Sequence, residues 1–263
     1  MELDVYVVDT FTTQQFKGNS AAVIPLEDWL DDTVMQSIAT ENNLSETAFI
    51  KQVSLNQYQI RWFSPLTEID FCGHATLAAS YVLYNLYESA GELEFITQEV
   101  GSLYVNCRDD GRIEMSFPNQ MPELVENVPQ ALIQGLSIEP VQVLKNRQAY
   151  FAVYASELEV EQVSYQAEFL KQLAPLDVVV TAPSENYDFV SRYFWPANGG
   201  EEDPVTGSIH AGLVPYWAQQ LDKQELLAYQ ASKRGGMLYC RMQSERVLIS
   251  GFAVIYLRGT IYL

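Results

Sequence analysis

The sequence predicts an α+β protein of two similar halves, each running strand, strand, helix, strand, strand. Three observations carry this expectation. Arg61-Trp62-Phe63-Ser64-Pro65 recurs as Arg192-Tyr193-Phe194-Trp195-Pro196, and each copy is followed by a loop, a glycine (Gly73, Gly207) and a helix-like run rich in small residues. TQEVGSLY (97–104) recurs without gaps as SKRGGMLY (232–239), and Arg112-Ile113-Glu114-Met115-Ser116 recurs as Arg246-Val247-Leu248-Ile249-Ser250, all at nearly the same displacement along the chain. Between the copies, FPNQMPELVENVPQ (117–130) concentrates proline and acidic residues as a domain boundary does. The expected domains are therefore 1–120 and 121–263.

Taken in order, Asp4 to Val8 reads as a strand, and the Gly18-Asn19-Ser20 turn leads into a second apolar run from Ala21 to Ile24. Leu30, Val34, Met35, Ile38 and Ala39 fall at helical spacing behind an acidic stretch, Asp28 to Asp32, that suits a helix N-terminus. In the next strand Glu46, Ala48 and Ile50 alternate with Thr47 and Phe49, which sets a carboxylate on a sheet face among small and apolar side chains. Tyr58 to Phe63 is a further strand. FCGHATLAASYVLYNLY (71–87) is small or apolar all round and predicts a buried helix. A cleft between two such halves would turn two glycine-led helix N-termini onto a shared anion; two repeats that only pack together remain the alternative.

Bulk properties narrow the function. A chain of 263 residues with 48% hydrophobic and 12% aromatic content can bury a substantial core. Fifteen basic against thirty-four acidic residues give a net charge of −19, which repels phosphate backbones and anionic lipid. Nucleic acid and membranes are thus poor partners. MELDVYVVDTF has no signal-peptide character, no window is apolar enough to span a bilayer, and three cysteines (Cys72, Cys107, Cys240) form neither a disulfide framework nor a zinc pattern. A reducing cytoplasm is the expected compartment.

Histidine is scarce, and both copies, His74 in CGHAT and His210 in TGSIH, lie at the corresponding glycine-led helix starts. There the helix dipole disfavours the imidazolium, so His74 is expected to be a neutral hydrogen-bonding group, and His210 to sit deeper in its helix with less claim on chemistry. Glu46, at the head of an otherwise buried strand, is a carboxyl group withdrawn from water and suited to both giving and taking a proton. Asp203, before the second helix, suits a capping or turn role that is compatible with ligand binding. No HxxxH or CxxC supports a metal site, no G-x-S-x-G a hydrolase, and no Walker or GxGxxG loop a nucleotide. Acid/base chemistry without a cofactor survives.

FKGNSAAVI (16–24), NLSETAFI (43–50), RWFSPLTEIDFCGHAT (61–76), EEDPVTGSIHAGLVPYW (201–217) and RGGMLY (234–239) together resemble the PhzF family, the phenazine-biosynthesis isomerase and its relatives, along essentially the whole chain. Ser20 departs from the proline common there after Gly-Asn. The resemblance implies a diaminopimelate epimerase-like fold, each domain a mostly antiparallel sheet wrapped around a central helix, and a homodimer. It implies Glu46 as the proton-transferring acid/base, with His74, Asp203, Ser208 and Asn19 binding substrate polar groups. The backbone at Gly73 and Gly207 would hold a carboxylate or similar anion. It also implies a small anionic substrate and no cofactor or metal. Against a two-thiol epimerase, Cys72 faces Thr206 as its counterpart, and a threonine with no partnering base is a poor second acid/base. An amino-acid or hydroxy-acid epimerase, or an inactive metabolite-binding protein, stays open beside the isomerase.

Overall fold

The computed structural model describes Met1–Leu263 and divides the chain into two compact units, Met1–Ser116 with Ser250–Leu263, and Phe117–Ile249. Set beside the expected division at 120/121, the last stretch of chain belongs to the first unit. Its strand pairs with the N-terminal one from Glu2↔Tyr262 to Thr10↔Ala253, a long-range contact that no local pattern announces.

In the first unit the strands are β1 (Glu2–Thr10), β2 (Asn19–Leu26), β3 (Glu46–Ser54), β4 (Gln57–Phe63), β5 (Glu68–Ile69), β6 (Leu93–Ile96), β7 (Ser102–Cys107) and β8 (Ile113–Pro118). Two helices, α1 (Asp32–Asn42) and α2 (Gly73–Leu86), flank the sheet. β2 and β3 run parallel, as do β4 and β6; β1/β2, β3/β4, β4/β5, β6/β7 and β7/β8 are antiparallel. α2 is buried from Gly73 through Ser80 and again at Val82 and Leu83, and it packs on β1, β2 and β3. Met35, Ile38 and Ala39 of α1 close the opposite face with Ala22, Ile24, Phe49 and Phe63. With a helix on each side, β3 is buried on both faces from Thr47 to Ile50, which is why its sequence shows little polar alternation.

The second unit repeats this plan. It contains β9 (Glu123–Leu124), α3 (Gln130–Gly135), β10 (Gln142–Lys145), β11 (Ala149–Val153), α4 (Glu157–Gln162), α5 (Ala167–Leu170), β12 (Asp177–Pro183) and β13 (Phe189–Phe194). β14 (Glu202–Asp203), α6 (His210–Leu221), β15 (Glu225–Gln230), β16 (Gly236–Gln243) and β17 (Arg246–Gly251) follow, and the final strand, β18 (Ala253–Tyr262), is the one returned to the first unit. β11/β12 and β13/β15 are parallel, and β10/β11, β12/β13, β13/β14 and β15/β16 antiparallel, the same sequence of pairings as β1 to β7. α6 is buried from His210 to Ala218, with Trp217 stacked on Phe189 at 5.8 Å between ring centroids.

The repeated arginines serve the same end in each unit. Arg61 makes two 2.6 Å bonds to the Glu68 carboxylate and one of 2.8 Å to Asp32. Arg192 makes bonds of 2.8 and 2.9 Å to Glu202 and reaches the carbonyls of Val160 and Val163 at the end of α4. Such bidentate pairs pin the short β5 and β14 strands, and thus the loops that enter the central helices. No helix is long and apolar enough to cross a membrane.

Candidate active site

In the first unit, local chain geometry delivers a carboxylate and an imidazole to one point. α1 stops at Asn43, whose left-handed φ of 48° and N–H bond to the Ala39 carbonyl turn the chain back, so β3 begins with Glu46 beside Ala21 of β2. Gly18 (φ +62°) makes the preceding turn possible, because a Cβ there would stand 1.9 Å from the Thr10 carbonyl oxygen. Ser20, in place of the family's usual proline, donates to Asp9 Oδ1, and the Phe16 amide donates to Asp9 Oδ2. A buried carboxylate thus stiffens the turn in the role the pyrrolidine ring would play.

Glu46 Oε2 lies 2.9 Å from His74 Nε2, both side chains largely buried. The two atoms are close enough for an ion pair, yet their alignment falls short of a well-formed hydrogen bond, and neither has another partner. On the other side of the ring, Asn19 Nδ2 lies 3.2 Å and Cys72 Sγ 3.4 Å from His74 Nδ1, while Ser45 Oγ donates to Asn19 Oδ1 at 3.0 Å. With Asn19 donating to Nδ1, the neutral ring carries its proton on Nε2, facing Glu46. A doubly protonated ring requires the Asn19 amide to turn its oxygen inward.

The expected dipole-neutralised histidine is corrected by this neighbour. Burial opposes the imidazolium, but the close contact with Cys72 and the charge of Glu46 favour it, and the net displacement of His74 is well above its ordinary range. The Cys72 thiol is pushed up to about 11, first by burial and then by the Glu46 charge, so near neutrality it is a thiol and a poor base. Glu46, Cys72 and His74 each offer a ligand atom within 4.8 Å of the others. His74 nevertheless presents opposite ring nitrogens to its two neighbours, so the three donors do not converge on one ion. At the N-cap of α2, Cys72 supplies no side-chain cap, which leaves first-turn amides, including that of Gly73, to solvent or an anion.

The second unit assembles a different polar cluster. Thr206 Oγ1 donates to Asp203 Oδ2 at 2.5 Å, so Thr206 does have a carboxylate partner, contrary to the sequence argument. The buried Gln230 accepts from the Thr206 amide at 2.8 Å and donates to the Asp203 carbonyl at 2.8 Å and to Thr206 Oγ1 at 3.3 Å. A backbone N–H can only donate and a carbonyl only accept, which fixes the orientation of the Gln230 amide. The Thr206 hydroxyl therefore accepts from Gln230 and passes its own proton toward Asp203.

Gly207 lies in a turn closed by the His210→Gly207 and Ala211→Ser208 bonds, and α6 starts at His210. His210 is thus the first residue of its helix and not deep within it. Burial holds it down at about 4, and its Nδ1 donates to the Thr206 carbonyl at 2.8 Å. It is a neutral structural group. Ser208 Oγ accepts from Gln148 Nε2 at 2.9 Å. Gln148 and Gln230 were absent from the sequence expectation, since an isolated glutamine in a strand or turn carries no motif.

Two duplicated units of this topology, each with its central helix entered through a polar loop, define the epimerase-like α+β class. A hydroxyproline epimerase from Agrobacterium vitis, 10% identical over 99% of this chain and 92% of that one, shares the fold at a TM-score of 0.62. The chain belongs to the PhzC-PhzF family of phenazine biosynthesis-like proteins, whose model matches residues 8–259. It is 47% identical, over the full length of both chains, to a Pseudomonas aeruginosa protein described as an uncharacterized isomerase. A PhzF-family crystal structure from Enterococcus faecalis superposes over all of both chains with a TM-score of 0.95 at 42% identity.

Proposed function

We propose that this chain is a cofactor-independent isomerase that moves a proton on a small, carboxylate-bearing substrate, with Glu46 as the acid/base. The observation that carries the reading is the Glu46 Oε2 atom: buried, 2.9 Å from His74 Nε2, and otherwise without a partner. Fold-stabilising carboxylates are saturated with donors, whereas a proton carrier needs an oxygen kept available. The isomerase descriptions of relatives such as the P. aeruginosa protein support the same class.

In this mechanism the Glu46 carboxylate takes a proton from a substrate carbon and returns it at a second carbon. His74 holds Glu46 in place and contributes a hydrogen bond from Nε2. Asn19 is assigned to substrate binding through the His74 side of the site. The Gly73 amide and, in the second unit, Asp203, Ser208 and the backbone of Gly207 bind substrate polar groups. Cys72 as a competing base is disfavoured by its raised thiol. The same reading makes the chain a soluble, cytoplasmic homodimer, which sedimentation analysis would test: a monomer at micromolar concentration removes that part.

Proton NMR in deuterated water with dihydro-hydroxyanthranilate and a panel of small carboxylates tests the chemistry. Glu46-dependent deuterium incorporation or rearrangement is expected. Exchange that persists undiminished in Glu46→Gln overturns the assignment, and inversion at a stereocentre in place of rearrangement turns the reading to an epimerase.

A further inference from the structure

Beyond the groups named so far, the second unit contains a hydrogen-bond chain whose direction is set by atoms that have no choice. The Pro175 carbonyl can only accept, so the end of the Asn198 amide 3.2 Å from it is Nδ2, which also donates to Asp177 Oδ1 at 2.8 Å. The Tyr193 hydroxyl gives its proton to Asp177 Oδ2 at 2.7 Å. With that proton committed, the Tyr193 oxygen can only accept from Gln148, whose Nε2 lies 3.2 Å away. The second hydrogen of the same Nε2 goes to Ser208 Oγ at 2.9 Å. Ser208 therefore accepts from inside the protein, and no protein group receives the Ser208 proton.

We infer that Gln148, oriented by Tyr193 and Asp177, is a positioning residue that occupies one lone pair of the Ser208 oxygen and turns its proton toward the ligand, so the group best matched at Ser208 is an acceptor oxygen of a carboxylate or carbonyl. An ammonium at that point could use only the second lone pair of the Ser208 oxygen and would leave the hydroxyl proton without an acceptor, whereas a carboxylate or carbonyl oxygen takes that proton. The inference rests on the reading that Ser208 contacts the ligand and adds which residue sets its polarity and which chemistry it selects. Asp177 has the register position in β12 that Glu46 has in β3: Ala149↔Asp177 and Ala21↔Glu46 are the matching first pairs of the parallel strands. The strand-head carboxylate has thus become the anchor of a binding group in the second unit.

A double-mutant cycle on the full chain tests this, read as calorimetric binding of dihydro-hydroxyanthranilate and as kcat and KM for its proton exchange. Gln148→Met keeps the side-chain length and removes the donor. It is expected to weaken binding roughly tenfold, the scale of one lost hydrogen bond, and to raise KM with kcat little changed. Ser208→Ala should weaken binding similarly, and the double variant should be no weaker than Ser208→Ala. Tyr193→Phe supplies a second route, with a several-fold loss in the wild-type background and none on Ser208→Ala. Losses that multiply in the double variants, or a Gln148→Met variant that binds like wild type while Ser208→Ala does not, overturn the positioning role and leave Ser208 as a ligand contact. Wild-type-like binding by Ser208→Ala, or no binding by the wild-type chain, overturns the contact itself and the inference with it.

Discussion

Glu46 and Asp177 occupy the same position in two copies of one structural unit, and their surroundings have diverged. Asp177 accepts from Tyr193 and Asn198; burial pushes its carboxyl up and these two donors pull it back. Glu46 has only the off-line contact with His74. The aromatic residues make the same contrast: Tyr193 reaches its unit's carboxylate, whereas Trp62, its match in the repeated arginine segment, leaves its indole N–H buried without an acceptor. Duplication therefore supplied two equivalent carboxylates. The one saturated by neighbours has its oxygens committed within the fold, and the one left short of donors is the group we propose as the proton carrier.

Glu46→Gln against Asp177→Asn is the most severe test of that contrast. Glu46→Gln should lower turnover at least about a thousandfold with ligand affinity retained, because the amide preserves shape but cannot carry a proton. Asp177→Asn should leave kcat within a few-fold, raise KM, and cost on the order of 2 kcal/mol by chemical denaturation. A comparable loss of kcat in both variants would break the comparison.

The two histidines sharpen it through pH. For His210, held near 4 in the fold against an ordinary 6.5, the unfolded chain binds the proton more readily. Its contribution is full above about pH 6.5 and is lost as pH falls toward 4, on the order of 3 kcal/mol. His210→Gln should flatten that acid limb. His74 has the opposite sign: its folded affinity for a proton is raised, so its stabilisation is complete below 6.5 and disappears as pH rises through the raised folded value. The stability difference between wild type and His74→Gln should shrink on the alkaline side, and kcat should drop about ten- to a hundredfold as Glu46 loses its support. Parallel pH profiles for the two variants would refute the opposed assignments.

The smallest expected effect lies in the Gly18–Ser20 turn. Ser20→Ala removes the hydroxyl bond to Asp9 and should cost about 1 kcal/mol in thermal or denaturant unfolding without changing kcat. A larger loss of turnover would mean that the turn also governs how Asn19 meets His74.

Much of the architecture was legible in the sequence. The repeated RWFSP and RYFWP segments place β4 and β13, and the apolar run 71–87 contains α2. These are local signals, and periodicity and repetition survive in one dimension. The short α3, α4 and α5 that cover the outer face of the second sheet were not read, because helices of four to six residues hold too few turns to show a period.

For the site, residue types and their positions at strand heads and helix starts pointed to Glu46, His74 and Asp203, and the family resemblance added Ser208 to the groups worth testing. Tertiary structure decided what each could do. It set a carboxylate against His74 and reversed the expected direction of its titration, gave Thr206 an acceptor in Asp203, and brought Gln148, from the turn between β10 and β11, to Ser208, and Gln230, from the end of β15, to Thr206. A hydrogen bond's direction and a buried charge's proton affinity depend on which atoms stand within about 3 Å, and that distance is a property of the folded chain, not of its order.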